Sequence, residues 1–434
     1  MAIDGLLAVG GILSGSLGIS GLILLKKQTQ EIIWNKMIAG QLICWIFVCK
    51  GISNSVRSLG FEGEFYRFVL LAPHFSDLVF SGCIVMLALV FPVPLLRDKS
   101  KLKIGCLGLV AYVIVQTICA VTFGLDNAFA SIGESYIIPG FVWTVTYVKF
   151  RFMKNHQNDE QVQQVADLCI FLIMLVVGHL FFRWVGMYTG APYFYFMDLY
   201  SEASFFADYL WNMGLASAAI FGTILLIGEI YSATQGRIRF ASYFVFTYMI
   251  IGMVTHLILS GTGSSEWGGG TGGGAGYTFL QETWSVITAS LHFTMMRPIL
   301  GMFILFRFGI IRISEENQQI GRTMAIVLIV VATSALLEIV QSLMPITEML
   351  SAGILGIAIA FGIGWEEKSF ESLIANPKRF PLRAKGNYFP EIEIKKDMSI
   401  TINKVIGGFL IFIVILSLIL DFADFEVTRK LLEG

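Results

Sequence analysis

The stretch from Ile3 to Lys36, IDGLLAVGGILSGSLGISGLILLKKQTQEIIWNK, decides the class of fold. Between Asp4 and Lys26 it carries no charged side chain. An uncharged run of that length suits a helix crossing a hydrocarbon core about 30 Å thick, which takes roughly 20 residues. The run then stops at Lys26 and Lys27, with Lys36 shortly after. Asp4, with no basic residue before the apolar run, does not fit the basic start of a cleaved signal peptide. The first run is therefore read as a retained helix.

The same alternation continues along the chain. About a dozen apolar stretches are long enough to cross a bilayer, approximately at 3–25, 37–53, 68–96, 104–124, 133–150, 167–188, 203–230, 240–261, 284–308, 323–343, 349–365 and 405–421. Short-loop lysines and arginines fall on alternate connections. Arg97, Lys99, Lys101 and Lys103 follow the third stretch, and Lys149, Arg151 and Lys154 the fifth. Arg237 and Arg239 follow the seventh, Arg312 and Arg322 the ninth, and a last basic block runs from Lys368 to Lys404. Arg57 and Arg67 depart from the rule and are offset by Glu62 and Glu64. Basic loops stay on the cytoplasmic side. The expected architecture is thus an all-α polytopic transmembrane bundle of about twelve spans with both termini outside. Residues 1–365 form the main bundle, 366–404 a small cytoplasmic segment, and 405–434 a final span with a short outer tail.

Composition agrees. Hydrophobic residues make up 56% and charged residues 14%, against roughly 25% charged in soluble domains; mean hydropathy is +0.74. The net charge of −1 gives no sign of a nucleic-acid partner. The 6 cysteines show neither metal-knuckle spacing nor a disulfide pattern, and they read as packing residues. The lipid bilayer is the first expected partner.

Three segments outside the spans stand out. Gly186–Asp208, GMYTGAPYFYFMDLYSEASFFAD, is aromatic and acidic, as expected of a segment lying on the outer interface. Gly261–Tyr277, GTGSSEWGGGTGGGAGY, reads as a flexible linker or a lid over an outer cavity. It has no Lys, so it is not a phosphate-cradling loop of the GK[ST] kind. Glu366–Lys404 contains Pro377, Pro381 and Pro390 and then alternates through EIEIKKDMSITI, which predicts a short strand or hairpin.

Ionisable groups inside a bilayer are costly and normally face a bundle interior or a cavity. In the topology above, His74, Asp77, His179, Arg183, Asp208, Asn212, His256, His292, Arg297, Glu338 and Gln341 fall in the outer or middle parts of their spans. The inner halves hold few such groups; Glu229 and Arg307 are expected at the inner boundary, in reach of water. His74 and Asp77 share a helix face, as do His179 and Arg183, and Glu338 and Gln341. Pro298, beside Arg297, is a candidate kink. Three readings remain open. These groups are interhelical hydrogen bonds and ion pairs, or they line an outward pocket for a small polar or anionic ligand, with the arginines recognising it. In the third, the intramembrane histidines hold a metal or haem, although no HxxxH pair supports this. Lys50 and Lys149, near span ends, read as snorkelling lysines. No nucleophile–base pair or intramembrane protease pattern is recognisable, so no enzyme is expected.

Two further stretches carry a resemblance. The third span closes in LVFPVP, Leu89–Pro94, and the ninth leaves the membrane as ILFRFGIIRI, Ile304–Ile313. Both resemble the seven-helix membrane sensor regions of some bacterial and archaeal histidine kinases. The following ATSALLEIVQSL, Ala332–Leu343, is similar to archaeal membrane proteins that append two further spans. The resemblance implies a ligand-sensing bundle that signals through a cytoplasmic partner. The chain lacks the kinase part: it has no phosphoacceptor helix and no ATP lid. The leading expectation is a non-enzymatic receptor with a small polar ligand and a signalling partner at 366–404. A secondary transporter or channel, and a structural subunit of a membrane complex, are the alternatives.

Overall fold

The computed structural model describes residues 5–28, 34–59, 66–123, 130–153, 159–189, 205–261, 296–311 and 396–422, with scattered positions at 319–330. Every regular element among these residues is a helix: α1 (Gly5–Lys27), α2 (Trp34–Arg57), α3 (Tyr66–Val90), α4 (Lys99–Phe123), α5 (Ala130–Arg151), α6 (Glu160–Thr189), α7 (Phe205–Thr234), α8 (Phe240–Gly261), α9 (Arg297–Arg307) and α10 (Lys396–Phe422). Each falls on a stretch read above as a span. The stretches at 323–343 and 349–365 lie outside the described residues, apart from a few positions. Among the described residues, four helical segments are long and apolar enough to cross a membrane: Leu7–Lys27, Asn35–Arg57, Phe68–Val90 and Ser399–Ile419.

The chain divides into two compact units, residues 1–125 with 293–434, and residues 126–292. In the first, α2 packs between α1 and α3, and α10 packs on α3 and α2. The α1–α2 crossing is set by glycine: a Cβ on Gly51 would stand 2.6 Å from the Gly15 backbone, and one on Gly18 would stand 2.5 Å from the Cys44 carbonyl. Such small-residue seams let backbones approach where no hydrophobic effect drives helices together. The opposite face of α1 exposes Ile12, Ile19 and Ile23, and α4 and α10 expose similar rows, among them Leu107, Ile118, Ile411 and Phe412. Helices apolar all round are lipid-facing or fully buried; these are exposed.

α3 ends at Val90 because the following FPVP cannot continue it. Prolines supply no N–H, and the Leu95 and Leu96 amides fold back onto the Leu89 carbonyl. The span read to residue 96 is therefore a helix to 90 followed by a turn. α9 ends at Gly309, whose φ of 61° allows the Ile310 amide to bond the Leu305 carbonyl, a Schellman-type stop. Lys36 then donates to the exposed-end carbonyl of Phe308 at 3.3 Å.

α10 corrects one expectation. The alternating 391–402 segment predicts a strand or hairpin, but from Lys396 onward the described chain is helix. The polar residues decide it. Ser399 and Asn403, one turn apart, meet Gln41 and Trp45, one turn apart on α2: the Gln41 amide donates to Ser399 Oγ and to its carbonyl, and the Trp45 indole donates to Asn403 Oδ1 at 2.9 Å. A strand would put Ser399 and Asn403 on one face about 13 Å apart, roughly twice the helical spacing. At its far end α10 reaches α3, where Asp421 accepts from the Phe68 amide at 3.2 Å. That N–H lies in the first turn of α3, which has no carbonyl of its own to serve it.

In the second unit α6 is the centre. Residues Val165 to Val177 are buried on every side, and α6 packs against α5, α7 and α8. Phe171 meets Phe240 and Phe244 with ring centroids 6.1 and 5.7 Å away. Gly228 on α7 makes room for Tyr147 on α5, since a Cβ there would lie 2.3 Å from the phenol oxygen.

Candidate functional site

Among the described residues, each unit carries a charged cluster. In the first unit it lies between α2 and α3. Lys50 and Arg57, two turns apart on α2, both turn toward Asp77 on α3: the Lys50 ammonium is 2.7 Å from Oδ1 and the Arg57 guanidinium 2.9 Å from Oδ2. Asp77 is buried, Lys50 nearly so, and the Arg57 side chain is 35% exposed. One carboxylate thus answers two cations. Phe80, one turn beyond Asp77, receives the Lys50 ammonium at 4.4 Å from its ring centroid and the Arg297 guanidinium at 5.6 Å, both within cation–π range. Arg297 is 5% exposed.

Local sequence explains this placement. Pro73 inside α3 removes the bond to the Val69 carbonyl and loosens the helix one turn before Asp77. Ser76 ties α3 to α2 by donating to the Cys49 carbonyl at 2.8 Å, next to Lys50. Pro298 stands in the first turn of α9, where a missing N–H removes no intrahelical bond. Met296 before it already has helical angles, φ −71° and ψ −36°.

Of the predicted site residues, the structure brings together Asp77 and Arg297, both around Phe80, with His74 buried one turn from Asp77. The two carboxylate oxygens of Asp77 are held by Lys50 and Arg57. Lys50 itself does not snorkel to a span end. It turns inward to Asp77, because the carboxylate and the Phe80 face offer more than a partly desolvated route to water. His179 and Arg183 lie on α6, Asp208 and Asn212 on α7, and His256 on α8; for these the backbone alone is described. His292, Glu338 and Gln341 lie outside the described residues, as do the Gly-rich segment and the segment at 366–395.

The second unit holds a cluster that the sequence reading did not anticipate, where α5 and α7 end and α6 and α8 begin. Glu229 on α7, expected to reach water, is 0% exposed. It accepts from the Tyr147 hydroxyl at 2.7 Å, from Arg151 Nε at 2.8 Å and from the Ser242 hydroxyl. Arg151 also donates to Gln163 at 3.0 Å and to Asp167 at 2.9 Å. The other oxygen of Asp167 takes Arg239 Nε at 2.9 Å. The Gln163 amide closes the ring on the Phe150 carbonyl. Two carboxylates answer two guanidiniums, and all four carboxylate oxygens accept at least one hydrogen bond, the condition under which a buried ion pair is tolerated. The signal was present in the spacing: Tyr147 and Arg151, and Gln163 and Asp167, are one turn apart on their helices.

Beside this network lies a cavity of about 370 Å³, lined in part by Phe152, Tyr231, Gln235, Arg237 and Arg239. Among the described residues no group of three or more His, Cys, Asp or Glu side chains stands at metal-holding distance. The chain matches no known protein family, no curated protein and no solved structure.

Proposed function

We propose that this chain is a receptor-like, non-enzymatic membrane protein of about twelve spans, N-out and C-out, that binds a small anion in an outward cavity. The observation that carries this reading is the Lys50–Asp77–Arg57 cluster, in which two cations share one carboxylate. In the orientation that the basic loops prescribe, this cluster lies at the outer ends of α2 and α3. Arg57 keeps a third of its side chain accessible, and Arg297 stands on the same aromatic ring. A partly desolvated site with an excess of guanidinium and ammonium groups favours a carboxylate, phosphate or sulfate over a neutral ligand. The likeness of Leu89–Pro94 and Ile304–Ile313 to kinase-linked sensor regions supports sensing. Binding would be relayed through α9 to a cytoplasmic partner at residues 366–404.

The test is thermal unfolding of the purified protein against acetate, citrate, inorganic phosphate and sulfate, with Arg57→Gln/Arg297→Gln as the comparison. An anion at a hundred times its dissociation constant stabilises by about 2.7 kcal/mol. The expected result is a rise in midpoint with at least one anion, lost in the double variant. A midpoint that no anion moves, or that moves equally in the variant, overturns the reading. Anion flux into liposomes carrying the protein would assign the same site to transport.

A further inference from the structure

The cavity in the second unit has its own chemistry. Arg239 is held by its Nε on Asp167, which fixes the guanidinium while its two Nη groups bond none of the described residues. Its side chain is 23% exposed. Arg237 enters the same lining from a turn built for the purpose: Gly236 takes φ 70°, and the Arg237 amide bonds the Ser232 carbonyl in a Schellman-type stop of α7. Gln235 and Tyr231 add an amide and a phenol, and the Phe152 and Tyr231 rings, 5.8 Å apart, form an aromatic wall. The lining holds one carboxylate, Glu160, and three arginines, of which Arg151 is engaged by Glu229 and Asp167. Asp167 and Glu229 stand outside it, engaged by the ion network. Next to the cavity in sequence, Ile227, Ile230, Ile238, Phe240 and Tyr243 are all about half exposed or more.

We infer that this cavity is a binding site for a phosphate group, brought by an anionic phospholipid headgroup or by a soluble phosphate. A guanidinium held by one edge presents its other edge to two oxygens of a tetrahedral anion. Arg237 adds positive charge to the lining, and the amide and phenol are placed for ester or glycerol oxygens. The volume lies at the lower end of the range for small-ligand pockets, ~300–1,000 Å³. The apolar residues alongside continue the site toward acyl chains. Basic pockets between helix ends at a membrane interface take lipid phosphates by this chemistry.

The test uses the full chain in phosphatidylcholine nanodiscs with and without phosphatidylglycerol, read by native mass spectrometry of retained lipid. A parallel arm reads the unfolding midpoint in phosphatidylcholine discs with inorganic phosphate. The expected result is a roughly tenfold preference for phosphatidylglycerol, lost in Arg237→Gln/Arg239→Gln; this assigns the lipid source. A midpoint rise with inorganic phosphate alone, lost in the same variant, assigns the soluble source. Arg239→Gln also removes a partner of Asp167, so Gln235→Glu serves as a second variant. It breaks no hydrogen bond of the described residues and places a carboxylate at the cavity, so it too should abolish the preference. No preference and no phosphate effect in the unaltered protein, or a preference unchanged by Gln235→Glu, overturns the inference.

Discussion

The cluster between α2 and α3 and the cluster at the ends of α5 to α8 are made of the same kinds of residue and end in different electrostatic states. In the second unit, Arg151 and Arg239 face Glu229 and Asp167 in equal number, and hydroxyl and amide groups of Tyr147, Ser242 and Gln163 add further hydrogen bonds. In the first unit, among the described residues, Asp77 faces both Lys50 and Arg57, and the Arg57 side chain is 35% exposed against 18% for Lys50. A closed network of this kind holds helices in register. An open one holds them and keeps a charge to offer. The proposed anion site is placed on the open cluster for this reason; in the second unit, among the described residues, the Arg239 edge turned away from Asp167 is what the network leaves to the neighbouring cavity.

The comparison breaks most sharply at Glu229. Replacing it with Ala leaves the buried Arg151 with one of its two carboxylates, so the protein should lose roughly 3–5 kcal/mol, read by denaturant or thermal unfolding in detergent. Asp77→Asn should cost less, about 1–3 kcal/mol, because Arg57 can turn to water. Equal losses at the two positions would erase the distinction between closed and open clusters. Trp45→Phe, which removes the indole bond to Asn403 and keeps the ring, should cost about 1 kcal/mol and report on α10 docking alone. Lys101→Ala sets the floor. Its pair with Asp98 is 60% and 62% exposed, and neutralising it should leave the unfolding midpoint unchanged within error.

Much of the helix layout was legible because it follows from one physical rule. Apolar runs such as Gly5–Leu25 have nowhere to satisfy their backbone polar groups except within a helix. The site was legible in part. The pairing of His74 with Asp77 on one face was readable from spacing, but the partners of Asp77 sit on another helix and no spacing names them. Glu229 was misplaced because a span boundary was equated with water, whereas α5, α6 and α8 close over that boundary and bury it. Residues 396–402 were misread for a related reason. Alternation describes a strand only if the polar face has water to meet, and here Ser399 and Asn403 have Gln41 and Trp45.

The contact of Asp421 with the Phe68 amide has a consequence in time. The first unit is interrupted in sequence by the whole of the second, so α1 to α3 are synthesised long before the helix that completes them. At ~5–20 residues per second, the roughly 270 residues between Leu125 and Lys396 delay α10 by some 15–55 s. Over that interval the Phe68 amide, Gln41 and Trp45 have no α10 to bond. The early helices therefore present an unfinished polar seam until the last helix arrives.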